Sequence, residues 1–168
     1  FFLGQLNDID VEWMIKNGSK IELKTGSKLI QKGQPIDNLY IVLSGQLVVC
    51  TDGADNETIA TLGAGEIVGE MSFLESRSPS VSVIATQPTV AYVISRNVMD
   101  SRLSSNSDFR ANFYYALALF LSNRLRKTTE QMGYGKPEEE DLIDINVLDG
   151  VAQAGSRFGQ ILNRFSEV

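Results

Sequence analysis

Between Lys20 and Ser95 the chain is written in short runs, IEL, LIQ, LYIVL, QLVVC, TIATL, VSVIA and VAYVI, each closed by turn-forming residues. Apolar or alternating runs of this length read as strands, whereas a helix needs a longer window with a 3.6-residue period. Gly18, Gly26, Gly33, Gly45, Gly53, Gly63, Gly65 and Gly69 recur at the spacing of tight turns, and Gly33-Gln34-Pro35 and Thr51-Asp52-Gly53 are the plainest of them. A stretch so punctuated folds back on itself as a β-sandwich or roll.

Helical periodicity flanks this block. Val11, Met14 and Ile15 predict a short helix over Asp8 to Asn17, with Asn7 or Asp8 as N-cap and Gly18 as its stop. A further segment is expected near Val98 to Leu103, followed by a Ser/Asn-rich break from Ser104 to Asp108. A long helix capped by Ser107 or Asp108 then runs to about Met132. Phe109, Phe113, Ala116, Leu117, Phe120, Leu121 and Leu125 form its apolar stripe.

These patterns predict a globular unit over 1–132, a polar and acidic linker over 133–143 that carries Glu138 to Asp141, and an amphipathic helix over 144–168. In the last, Val151, Ala154, Phe158, Ile161, Leu162, Phe165 and Val168 repeat at three and four residues. Such a face needs a groove, either on its own domain or on a second copy or partner, because a few turns alone are marginal in water.

Composition narrows the chemistry. With 15 Lys and Arg against 21 Asp and Glu, the formal net charge of -6 offers no general attraction to nucleic acid or an anionic membrane. Apolar runs such as Tyr114 to Leu121 fall well short of the roughly 20 residues a spanning helix requires. There is no histidine, so His-dependent triads and His metal sites are excluded. The carboxylates at Glu138 to Asp141 lack an apolar pocket to separate their acidities, so no catalytic dyad and no enzyme activity is expected. The lone Cys50 excludes an internal disulfide, reads as a small apolar strand residue, and suits a reducing compartment, the cytoplasm. A start at Phe1 without Met suggests part of a longer chain.

One stretch suggests a site: Gly69 to Val83, GEMSFLESRSPSVSV. A glycine leading into a short helix presents unpaired N–H donors at a positive dipole end, a combination that favours an anion such as phosphate. Glu70 would repel phosphate yet can accept a hydrogen bond from a sugar hydroxyl.

Four segments in order, LIQKGQPIDNLYIVLSGQLVV, LGAGEIVGEMSFL, PSVSVIA and an apolar helix ending in LSNRLR, resemble the cyclic nucleotide-binding domain family, which includes the catabolite activator protein and the regulatory subunit of protein kinase A. The resemblance runs from Phe1 to about Met132. It implies an α+β fold, an eight-stranded antiparallel β-roll with a short N-terminal helix and C-terminal helices, and a cyclic nucleotide, cAMP or cGMP, as ligand without a further cofactor. By the same resemblance Gly69 to Val83 is the phosphate-binding cassette. Gly69, Glu70, Met71 and Ser80 match its contacts, and Ser72, Arg77, Val81 and Ser82 complete the candidate set. Ungapped alignment puts Pro79 where the family's phosphate-binding arginine stands, leaving Arg77 as substitute cation or as an exposed loop charge.

The implied function is a non-catalytic regulatory module with weakened or lost nucleotide binding that acts by dimerisation or partner docking through the long and C-terminal helices. The alternative is a working receptor that repositions those helices on binding cAMP or cGMP. Tyr114, Tyr115, Asn123 and Arg124 lie where the family caps the base, although core packing or solvent accounts for each, and Arg124, Arg126 and Lys127 complement the helix dipole. Residues 133–168 hold no second basic helix pair, so direct DNA binding is not expected.

Overall fold

A computed structural model describes residues 2–51, 57–133 and 145–167. Asp52 and Gly53 of the Thr51-Asp52-Gly53 turn, the acidic run Glu138 to Asp141 and nearly all of the 133–143 linker lie outside the described residues, as do the side chains of Val151, Ala154 and Val168.

Eight strands form two four-stranded antiparallel sheets. The first holds β1 (Ser19–Leu23), β8 (Thr89–Ser95), β3 (Asn38–Ser44) and β6 (Ile67–Val68) in that spatial order. The second holds β2 (Lys28–Ile30), β7 (Ser82–Ala85), β4 (Leu47–Cys50) and β5 (Thr58–Leu62). Seven of the strands coincide with the runs read from sequence; β6 is two residues long, too short to show an alternation of its own.

Period-two alternation on the first sheet builds two cores. Leu39, Ile41 and Leu43 of β3, with Tyr92 and Ile94 of β8, face the helices. Tyr40 and Val42, with Val68, face the second sheet and meet Ile30, Leu47, Leu62, Val83 and Ala85. β3 is therefore buried on both faces, which explains why its run is nearly continuous rather than alternating. Cys50 is buried, as a small apolar strand residue should be.

The helices cover the first sheet. A 3-10 turn at Leu3–Gln5, without a sequence signature, leads into α1 (Asp8–Lys16), where Asn7 accepts from the Asp10 N–H at 2.8 Å as N-cap. The first of the later helices is longer than its pattern suggests, and the second begins earlier. α3 spans Arg96–Ser105 and α4 spans Ser107–Gln131, so the Ser/Asn-rich break shrinks to Asn106, whose side chain accepts from the Phe109 N–H at 2.7 Å. Neither Ser107 nor Asp108 is the cap; both are helical, because Asn106 already supplies the acceptor in extended backbone.

On α4 Phe109, Phe113, Ala116, Leu117 and Phe120 are buried and Leu121 half-buried, but Leu125 is 68% exposed. The stripe therefore stops one turn early. Asp10, buried on α1, accepts from Asn112 of α4 at 2.9 Å, which satisfies the carboxylate and fixes the two helices to each other.

α5 (Ile145–Ser166) docks back on this assembly. Ile161 and Phe165 enter the helix-side core, and Phe165 meets the Tyr92 ring edge-on at 4.9 Å. Arg157 donates to the carbonyls of Gly4 and Leu6, at 3.2 and 2.6 Å, and reaches Asp8; Arg164 pairs with Glu12. The groove that this amphipathic face requires is thus supplied by the N-terminal turn, α1 and the first sheet.

Candidate functional site: the Gly69 to Val83 cassette

Gly69 opens the cassette with φ of 90°, a left-handed conformation that disfavours any side chain, and a Cβ there would stand 3.0 Å from the Asn38 carbonyl oxygen. It caps α2 (Glu70–Glu75), whose C-cap Ser76 is also left-handed, at φ of 54°. The turn, the short helix and the return through Ser78-Pro79-Ser80 therefore follow the order written in the sequence.

Two arginines from distant helices hold α2 in place. At its N-terminal end Arg124 of α4 donates from Nη1 to Glu70 Oε1 at 2.5 Å and from Nη2 to the Ile67 carbonyl at 3.5 Å, while stacking over the Phe120 ring at 4.6 Å. At its C-terminal end Arg96 donates to the Ser72 carbonyl and, at 3.2 Å, to the Ser76 hydroxyl, and lies over the Phe73 ring at 5.1 Å. A cation at this end complements the exposed carbonyls of the helix.

Glu70 is 3% exposed. Burial pushes its carboxyl above the ordinary range; the Arg124 guanidinium and the N–H groups of Glu70 and Gly69 work in the opposite direction. The result is a carboxylate oriented in a water-poor setting, suited to accepting from a hydroxyl, with a cation already beside it.

The candidate residues do not all converge. Glu70 and Ser72 are buried and fixed, while Met71 on the same helix is 59% exposed. The Arg77 side chain is 82% exposed and lies 3.8 Å from Glu75, so in this structure it is a surface loop charge. Pro79 is half-buried, and its carbonyl accepts from the Gly33 N–H at 2.9 Å. Ser80 is exposed and Val81 half-buried; Ser82 is fully buried, and its hydroxyl accepts from the Lys32 N–H at 3.0 Å. Of the serines in the second limb, Ser80 thus remains open to solvent while Ser82 ties the limb to the β2–β3 turn.

From sequence Arg124 reads as a helix-dipole complement and, by the resemblance, lies where the family caps the base; its pairing with Glu70, 54 residues away, has no signal there. Arg96 was equally hidden at the start of a helix. Tyr114 and Tyr115 are exposed on α4.

Comparison with known proteins bears on the family and the fold. A family model described as "Cyclic nucleotide-binding domain" matches residues 20–106, just over half of the chain. The chain is 30% identical over 97 residues to a cGMP-dependent protein kinase of Caenorhabditis briggsae, a match that takes in 58% of this chain and only 13% of the kinase. Among solved structures it is similar to a cyclic nucleotide-binding domain from Methylobacillus flagellatus, with a TM-score of 0.71, 26% identity, and coverage of 80% of this chain and 77% of that one. It is also similar to the regulatory subunit of a cAMP-independent protein kinase A from Trypanosoma brucei, solved as a triply substituted mutant bound to cAMP. That TM-score is 0.54 at 25% identity, over 70% of this chain and 46% of the other. The two-sheet roll and the family match together place this chain in the cyclic nucleotide-binding domain family.

Proposed function

We propose that this chain is a non-catalytic regulatory module whose cassette has weakened or lost affinity for cyclic nucleotides and which acts by docking, through α4, on a second copy or a protein partner. The observation that carries this reading is the charge inventory of the cassette loop. By the resemblance Pro79 aligns with the family's arginine; in the structure Arg77 is exposed against Glu75, and Arg124, which approaches α2 from α4, is engaged by Glu70. A charged hydrogen bond contributes about 1.5 to 3 kcal/mol, so losing one at the phosphate lowers affinity by roughly ten to more than a hundredfold. The Trypanosoma relative supports the same logic: it is named cAMP-independent, and the form bound to cAMP carries three substitutions, one of them to arginine.

The docking half of the proposal rests on exposed apolar side chains along α4: Tyr115 at 61%, Leu125 at 68% and, just past the helix end, Met132 at 69%. The described apolar residues of α5 are committed to their own domain, which favours α4 as the docking face.

A working cAMP or cGMP receptor is the second reading, supported by the left-handed Gly69, the buried Glu70 and the exposed Ser80. Calorimetric titration with each nucleotide separates the two. No heat and no thermal shift at millimolar ligand is the result expected of the first; saturation near micromolar overturns it. Sedimentation at increasing protein concentration tests docking between copies, and a Leu125→Ser variant should shift any dimer toward monomer.

A further inference from the structure

Two surface hollows, of about 380 and 400 Å³, lie around Trp13 and Arg102 rather than at the cassette. They sit on either side of one ridge. The Arg102 guanidinium lies 5.3 Å from the ring centres of both Trp13 and Phe109, held by two aromatic faces. Among the described residues it has no carboxylate within ion-pair distance, and its buried Nε has no hydrogen-bond partner. An arginine placed so firmly on a folded chain ordinarily finds an anionic acceptor.

The charges around the ridge are sorted. Asp8, Glu12 and Lys16 line the first hollow with Ile9. Asp8 and Glu12 are matched by Arg157 and Arg164 of α5, whereas Lys16 forms no ion pair among the described residues. Lys16 and Arg102 are therefore the uncompensated charges, and both are positive. The second hollow adds Ser101 and Asn97 of α3, whose side chains make no hydrogen bond among the described residues, so it offers neutral side-chain donors beside the guanidinium.

We infer that the Trp13–Arg102 ridge is a docking site for an acidic peptide segment of a protein partner. A carboxylate side chain seats in the second hollow against Arg102, Ser101 and Asn97, and a neighbouring aliphatic side chain lies in the first against Trp13 and Ile9, which is 73% exposed. A free small anion would use the second hollow alone and leave the apolar one empty. The occupant chosen here uses both, and its charge complements the two unmatched cations. This site is independent of the cassette and of whether the cassette binds a nucleotide.

The test is titration of the full chain with a capped glutamate–leucine peptide, its glutamine–leucine counterpart and inorganic phosphate. The fluorescence of Trp13, the single tryptophan, and the amide resonances of Asn97 and Ser101 are followed. Saturable change with the glutamate peptide, weaker at higher salt, is expected. Arg102→Met, which keeps a stem between the two rings, should weaken binding about tenfold or more. Should that variant not fold, Lys16→Met carries the test, with a weakening of about two- to fivefold. Equal binding by the glutamine peptide, unchanged affinity in the variant tested, or an equal response to phosphate alone would overturn the proposal.

Discussion

Arg124 and Glu70 meet at 2.5 Å across 54 residues of sequence, so the long helix is fastened to the one buried carboxylate of the cassette. Removing the arginine leaves that carboxylate desolvated and uncompensated. We expect Arg124→Met to lower stability at neutral pH by about 1.5 to 3 kcal/mol in urea titrations.

The pH dependence of the same pair has a defined sign. Burial raises the Glu70 pKa, so in the window above its unfolded value the native state binds more protons than the unfolded one, and stability falls as pH rises. The contribution is fully present below the unfolded pKa and lost as pH passes through the raised folded one. Arg124 restrains this rise; in Arg124→Met the carboxyl resonance should titrate at still higher pH, and stability should fall more between pH 4 and neutrality. Identical slopes in the two proteins would refute the account.

Pro79→Arg should increase affinity for cAMP or cGMP by roughly tenfold or more if the cradle is otherwise competent, since it restores one charged hydrogen bond at the aligned position. Arg77→Ala, which removes an exposed loop charge, should leave calorimetric affinity where it was. A loss on Arg77→Ala would mean that this side chain turns inward when ligand arrives.

Deleting Asp144 to Val168 uncovers the sites of Ile161 and Phe165, each fully burying an apolar side chain worth about 1.5 to 3 kcal/mol. A loss of about 3 to 6 kcal/mol, with dye binding to newly exposed apolar surface, is expected. An unchanged melting temperature would show that α5 is not held where the structure puts it.

The ring of Phe158 occupies the space a Cβ would need at Gly65, which also has φ of 85°. Gly65→Ala should therefore be destabilising by about 1 to 3 kcal/mol through strain and overpacking. Combining it with Phe158→Ala should recover the overpacking part and leave the backbone part, a non-additivity measurable in a double-mutant cycle.

The roll was legible because strands and turns announce themselves locally. β3 and β8 have the runs, Gly69 has the turn, and the α4 stripe from Phe109 to Phe120 has the period. What escaped was set by tertiary geometry. Leu125 continues the helical period but extends past the core, and Asn106 outcompetes Ser107 and Asp108 as cap by position rather than type. Of the candidate site, Glu70 and Gly69 could be placed from sequence, but the partners of Glu70 and Ser82 could not, because Arg124 and Lys32 approach from elements 54 and 50 residues away.

The seat of α5 bears on how the chain is made. Arg157 reaches the Leu6 carbonyl across 151 residues, and Lys20 reaches Ser166 across 146. Contacts that span nearly the whole chain form late, because the loop they close is large. At synthesis rates of about 5 to 20 residues per second, Leu3 and Leu6 wait roughly 8 to 30 s for the helix that covers them. The groove itself is complete only once β8 is made, so for roughly the last 4 to 14 s of that interval the nascent chain holds an apolar groove that α5 has yet to cover.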